Sequence, residues 1–166
     1  SYPKSRTLVT RIDIDHARVT QFLRLSLEVE VAKTLVRRQN PDVILPSARI
    51  LRMQTLAGED HDIGEFTALD WLFHQSLFNA AGVGSLWHMI SARSGHIDRL
   101  RRLNLPDPGK MAAVLTSHEG ILAAIRAGDP EDAEAQTREH LSGTLASLPA
   151  IMTAHPDYFG TAAVAS

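Results

Sequence analysis

The chain has 166 residues, of which 44% are hydrophobic and 22% are charged, and its formal net charge is −2. This size and composition predict a single globular domain with a core of its own. The near-neutral charge gives the chain as a whole no basic footprint for nucleic acid. The sequence contains no cysteine, which excludes disulfides, thiolate metal sites and cysteine nucleophiles. No apolar run reaches the roughly 20 residues of a membrane span and no signal peptide is visible, so we expect a cytoplasmic protein.

Helical patterns follow one another after the first dozen residues. Asp13 or Asp15 can cap a first helix that runs to about Asn40. Its apolar stripe at helical spacing comprises Val19, Phe22, Leu23, Leu27, Val31 and Leu35. Later predicted helices span about 47–57, 65–81, 85–104, 110–127 and 130–148, followed by a tail that frays. With no strand pattern beyond the first dozen residues, the sequence predicts an all-α antiparallel bundle of six to seven helices.

Asp70 and His74 lie one helical turn apart, so both side chains can reach a single point beside their helix. His118 and His140 lie mid-way along two later predicted helices. One aspartate and three histidines are enough ligands for a first-row divalent metal, with zinc favoured and nickel or manganese compatible. A single histidine on such a helix is more often a core or surface residue than a ligand. The metal prediction therefore depends on whether these four side chains converge.

Arginines suggest a second group of binding residues. Arg24 lies within the first predicted helix, beside its apolar stripe. It either forms a surface ion pair with Glu28 four residues on, or turns inward to hold a carboxylate in a bidentate fork. Arg93 and His96 share one face of the predicted helix 85–104, and Arg93 is the best candidate there to point inward. The basic run that follows is expected to be mostly a solvated face, and it comprises Arg99, Arg101 and Arg102.

Several short patterns together carry a family resemblance over about residues 15–150. They are Arg24-x-x-Leu27-Glu28, Asp70-x-x-Phe73-His74, His118 before Ile121-Leu122-Ala123-Ala124-Ile125-x-x-Gly128-Asp129, then Ala133 and His140-Leu141. In this order and spacing the chain resembles the FCD domain, the C-terminal ligand-binding domain of GntR-type transcriptional regulators of the FadR subfamily. The resemblance implies that Asp70, His74, His118 and His140 bind a divalent metal. It also implies that Arg24 is the inward-facing arginine of that family.

The start of the chain adds a second resemblance. Residues 2–9 resemble the last wing strand of the winged helix-turn-helix domain that precedes the FCD domain in such regulators. We therefore expect residues 1–12 to be the end of that wing and a linker. Residues 13–150 would form the helical effector-binding domain, and residues 151–166 a C-terminal tail.

The resemblance implies a sensor in which an internal metal and ligand cavity of the helical bundle binds a small organic carboxylate between the metal and Arg24. Arg93 and His96 are further effector-binding candidates because of the helix face that they share. Occupancy of the cavity would modulate DNA binding by a homodimer, whose operator contacts lie in the upstream domain. The alternative is a metal-dependent hydrolase or lyase, because a site of three histidines and one aspartate with open positions can also activate water. No positioned general base stands out beyond the ligands, so we expect no catalytic residues and no enzyme.

Overall fold

The structure, a computed structural model, describes residues 10–107 and 109–160. Within these residues there is no β-strand. The elements are α1 (Ile14–Arg37), a 3-10 turn (Pro41–Ile44), α2 (Leu45–Glu59), α3 (Ile63–Ala80), α4 (Gly84–Ser91), α5 (Gly95–Asn104), α6 (Lys110–Ala127), α7 (Pro130–Ala146), α8 (Leu148–Ala154) and a second 3-10 turn (Pro156–Tyr158). The all-α prediction is confirmed, and α1 to α7 agree with the predicted six to seven helices. Most of the predicted wing end, at residues 1–9, lies outside the described residues, as does the end of the predicted tail.

Side-chain caps set the start of three of the long helices. Asp13 accepts a hydrogen bond from the backbone N–H of His16, and Asp62 caps α3 in the same way. Asp129 accepts from two backbone N–H groups at the start of α7. These bonds satisfy donors that the first helical turn leaves without partners. Gly128 ends α6 with φ of 72°, a left-handed conformation in which glycine carries no steric cost.

Neighbouring helices bury one main core. α2 packs against α3, α6 packs against α7, and α1 lies against α7. The most enclosed apolar side chains of this core are Leu35, Phe73, Phe78, Ile90 and Leu122. A smaller cluster joins the two ends of the described chain, where the N–H of Ile12 donates to the carbonyl of Tyr158 at 2.8 Å. Among the described residues, no helix is both long enough and apolar enough to cross a bilayer.

The predicted helix 85–104 is wrong in one respect, because it is two helices. α4 ends in tight backbone bonds, from the N–H of Arg93 to the carbonyl of Ile90 at 2.9 Å and from Ser94 to Ser91 at 3.2 Å. The Ser94 hydroxyl also donates to the carbonyl of Ile90 at 2.8 Å. Gly95 then begins α5. Serine and glycine are weak helix formers, so the chain turns here although its buried positions keep a helical spacing.

The apolar stripe predicted for α1 is confirmed at the buried Val31 and Leu35 but wrong at its start. Val19 and Phe22 are 71% and 75% exposed, whereas polar side chains fill the inward face of this half of the helix. That face carries Thr20, Gln21, Arg24 and Glu28. The predicted fraying tail begins instead with a short helix, α8, which packs Leu148 and Ile151 into the smaller core cluster.

Candidate metal centre and adjoining pocket

Three helices bring four potential ligands to one point. α3 carries Asp70 and His74, α6 carries His118 and α7 carries His140. One ligand atom from each side chain lies within 4.8 Å of all the others. The Nε2 atom of His140 lies 3.1 Å from Nε2 of His118 and 3.2 Å from Nε2 of His74. The first three side chains are buried and His140 is half-buried, so the group opens to one side only.

The outer nitrogens of two rings contact acceptors. Nδ1 of His118 lies 2.8 Å from the amide oxygen of Gln54, and Nδ1 of His74 lies 2.6 Å from a carboxylate oxygen of Glu28. The amide oxygen can only accept, so Nδ1 of His118 carries the proton and, in the neutral ring, Nε2 carries a lone pair. Nδ1 of His74 makes no well-oriented hydrogen bond with Glu28 despite the short contact. Partners such as Gln54 orient metal-binding histidines in proteins. Gln54 therefore turns the lone pair of His118 toward His140 and Asp70.

Burial and neighbouring charges set the protonation of the group. Burial lowers the pKa of His118 and of His140 well below the usual histidine value, so both rings are neutral near pH 7. Burial alone would raise the pKa of Asp70, but the guanidinium of Arg101 outweighs burial and lowers that pKa. Burial also opposes ionisation of Glu28, yet Arg24 and His74 bring its pKa down to about 2. The site therefore combines two ionised carboxylates with the neutral imidazoles of His118 and His140.

The donor set fits a divalent metal. His140 can donate a proton to one of the two facing Nε2 atoms at most, so at least one buried lone pair has no donor among these rings. Asp70 Oδ1 is likewise buried without a hydrogen-bond donor in the described part of the chain, and it lies 3.4 Å from His118 Nε2. Neighbouring ligands of a tetrahedral zinc ion bound at about 2.0–2.1 Å are separated by roughly 3.3–3.4 Å. Nitrogen and carboxylate ligands at such separations suit zinc, nickel or manganese.

A pocket of about 320 Å³ adjoins the exposed side of this group. It lies among α1, α5, α6 and α7, and His140 forms part of its wall. Three cationic side chains also line it, contributed by Arg24, Arg101 and Lys110, together with the exposed acid Glu139. A small molecule in this pocket would therefore meet more positive than negative side chains.

Arg24 faces inward and is only 2% exposed. Its Nε and Nη2 atoms lie 2.9 Å and 2.8 Å from Oε1 of Glu28, and its guanidinium lies 5.6 Å from the ring centre of Trp87. Arg24 therefore forms the predicted ion pair with Glu28, but the pair is buried, and the guanidinium faces inward as the second interpretation predicted. Arg24 Nη2 has no well-oriented hydrogen-bond acceptor among the described residues. Glu28 thus contacts this nitrogen without giving it a well-aligned hydrogen bond.

Arg93 and His96 do not reach the pocket, which corrects their predicted placement. Arg93 is exposed in the turn between α4 and α5, because the helix on which it was expected to share an inward face with His96 is broken there. His96 Nδ1 instead accepts a hydrogen bond from the backbone N–H of Asp13 at 3.0 Å. The His96 ring also packs edge-on against His16, 5.1 Å between ring centres.

The sequence reasoning missed two site residues. Arg101 was assigned to a solvated face, but it donates a hydrogen bond to Asp70 and lines the pocket. Its position four residues after the buried Ile97 was the available signal. Gln54 lies on the buried face of α2 that also carries Leu51 and Ala57, and a polar residue within such a stripe was the signal there.

Comparison with known proteins gives consistent matches. Residues 21–143 match the profile of the FCD domain. The chain is 32% identical over 160 residues to an HTH-type transcriptional regulator in an unstable DNA locus of Streptomyces ambofaciens, covering 96% of this chain and 67% of that protein. It is 24% identical over 157 residues to the HTH-type transcriptional repressor RspR of Escherichia coli K12, covering 95% of this chain and 69% of that repressor.

Asp98 on α5 gives a test of the charge balance beside the site. Burial outweighs the attraction of Arg101 and raises the Asp98 pKa to about 6, from a usual value of 3.8. The folded state therefore binds a proton that the unfolded chain releases, so this group lowers stability as pH rises from about 4 to about 6. We expect Asp98→Asn to raise the free energy of unfolding of the metal-free protein at pH 7 by roughly 1–2 kcal/mol.

Urea unfolding of the metal-free Asp98→Asn variant and its parent at pH 4 and pH 7 measures this effect. The increase in the free energy of unfolding should be absent at pH 4, because Asp98 of the parent is protonated in the folded state at that pH. The exposed Asp15 serves as the control, and Asp15→Asn should change stability by less than about 0.5 kcal/mol at either pH. An equal gain for Asp98→Asn at both pH values would contradict the assignment.

Proposed function

This chain belongs to the FCD domain family, and from that membership we propose that it is the effector-sensing domain of a DNA-binding transcriptional regulator. The relatives are named as HTH-type transcriptional regulators, which agrees with the expectation that the chain is not an enzyme. The observation that carries the sensing proposal is the group of three histidines and one aspartate beside a cationic pocket. All four of these residues fall within the matched range 21–143.

We propose that Asp70, His74, His118 and His140 hold one divalent metal, with zinc favoured and nickel or manganese compatible. The unpartnered oxygen of Asp70 and the facing lone pairs of the imidazoles support this. A bound metal would supply a positive charge that attracts an anionic oxygen from the pocket.

The proposed effector is a small organic acid held between this centre and Arg24. Arg24 lines the pocket with a buried nitrogen that has no well-oriented acceptor in the described structure, and a ligand carboxylate would provide one. Glu28 accepts a hydrogen bond from Nε of the same guanidinium and also contacts His74. Through Glu28, the residues that bind the acid and those that bind the metal form one connected group.

Two helices provide a route from the pocket toward the proposed upstream DNA-binding domain. α1 carries Arg24 and begins next to Asp13, while α5 carries Arg101 and holds the segment before α1. On α5, His96 accepts from the N–H of Asp13 and Arg99 donates to the carbonyl of Thr10. An acid with different affinity for two packings of these helices would shift the population between them, and with it the orientation of the upstream domain.

The metal assignment is tested by metal analysis of the purified protein and by competition with a chelator. We expect about one equivalent of metal in the parent and its loss in His118→Ala, because a central ligand is removed. Gln54→Leu should keep the metal but weaken its binding about 10–100-fold, since the partner that orients His118 is removed. The exposed His88 on α4 provides the control, and His88→Ala should bind metal like the parent. Unchanged metal binding by His118→Ala would refute the site.

The acid assignment is tested by calorimetric titration of the metal-loaded protein with a panel of small carboxylic acids. Arg24→Ala should weaken acid binding by roughly 1.5–3 kcal/mol, the scale of a charge-assisted hydrogen bond, and should retain the metal. His118→Ala should lose metal and acid together. Arg24→Lys keeps the charge beside Glu28 and controls for the fold, and the exposed Arg93→Ala should bind acid normally. Acid binding by Arg24→Ala that equals the parent would restrict Arg24 to the role of a partner for Glu28.

We also propose that the regulator is a homodimer that reads an operator through its upstream domain. Two-fold symmetry suits a palindromic operator, and the exposed Val19 and Phe22 lie side by side on the outer face of α1 as apolar surface available for contact. Light scattering of the regulator with its upstream residues present should give twice the monomer mass at micromolar concentration. A monomer mass under those conditions would contradict this assembly.

A further inference from the structure

The pocket extends well beyond the candidate metal centre, along α6. Lys110, Val114 and Ser117 line it from this helix, and the metal-ligand candidate His118 follows Ser117 directly. Lys110 precedes His118 by eight residues, which corresponds to about 12 Å along a helix axis. The far end of the pocket therefore lies about two helical turns from the group that would bind the metal.

Lys110 places a positive charge at that far end. Its Nζ atom lies 3.3 Å from the hydroxyl of Ser147, and no carboxylate of the described residues forms an ion pair with it. The other two cationic side chains of the pocket differ in this respect, because Arg24 pairs with Glu28 and Arg101 pairs with Asp70. Among the described residues, Lys110 is thus the pocket cation that has no carboxylate partner.

The charge at the inner end of the pocket is balanced by a single ligand carboxylate once a metal is bound. Arg24 and Arg101 pair with Glu28 and Asp70, and a third carboxylate, that of Asp98, interacts with Arg101. A divalent metal would therefore leave about one positive charge at this end, which one carboxylate of a ligand neutralises. A second carboxylate on the same ligand would then be available for the ammonium group of Lys110.

We propose that the effector is a dicarboxylic acid, with one carboxylate between the metal centre and Arg24 and the second carboxylate paired with Lys110. This inference rests on the proposed function and adds the charge and the length of the acid. The lysine stem and the metal–oxygen bond occupy part of the 12 Å or so between the two ends. The remaining distance suits diacids from succinate to adipate.

Calorimetric titration of the zinc-loaded protein with succinate, glutarate and adipate, each beside the monoacid of equal carbon number, tests this proposal. The best diacid should bind at least about tenfold more tightly than its monoacid partner, as expected for one added charge-assisted contact. Lys110→Met should remove this advantage and leave monoacid binding within about twofold of the parent. The control is Lys33→Met, because Lys33 pairs with Glu134 on the surface and the same charge is lost. That variant should keep the full diacid advantage.

Equal affinities for diacids and monoacids in the parent, or a diacid advantage that survives in Lys110→Met, would overturn the dicarboxylate proposal. In either case, acid binding that still depends on Arg24 would leave the proposed function intact. If no acid of either class binds to the zinc-loaded protein, the acid-sensing function fails, and this inference fails with it.

Discussion

The burial of two carboxylates within the helical bundle is the constraint on which the rest of the site depends. Glu28 is 5% exposed and Asp70 is 2% exposed, and an ionised carboxylate in such surroundings is costly unless a cation and hydrogen-bond donors accompany it. Arg24 accompanies Glu28, and Arg101 accompanies Asp70. Each carboxylate also contacts an imidazole, so the two ion pairs and the histidines form one group that links α1, α3, α5, α6 and α7.

This group explains why the first half of α1 buries polar side chains and exposes apolar ones, unlike a simple amphipathic helix. Arg24 and Glu28 must face inward to reach the histidines, and the helix rotation that places them there turns Val19 and Phe22 outward. Apolar periodicity therefore predicted the helix and its buried residues Val31 and Leu35 correctly, but it placed Val19 and Phe22 on the wrong face. The pattern of charges i and i+4 along the helix was compatible with either face, because a buried ion pair and a surface ion pair have the same spacing.

Local signals in the sequence predicted the helices, whereas tertiary packing decided which side chains face the site. Helix existence followed from periodicity and from local caps such as Asp13 and Asp129, whose effect reaches only a few residues. The break between α4 and α5 escaped prediction because Ile90 and Ile97 keep a helical spacing across it. That break in turn decided which arginine faces the site, since it releases Arg93 to solvent while α5 brings Arg101 to Asp70. Such a result depends on tertiary packing and on no single local signal.

The arrangement of the histidines has a consequence for stability as well as for binding. Gln54 orients the Nε2 lone pair of His118 toward the point where the Nε2 atoms of His74 and His140 also lie, and Asp70 adds an unpartnered oxygen there. A cation bound by these atoms would stabilise the folded state, so metal binding and folding would be thermodynamically linked. Because the ligands come from α3, α6 and α7, the linkage would tighten the packing around the pocket itself. An acid that enters would then meet Arg24 already fixed by Glu28, and less of its binding energy would be spent on ordering the site.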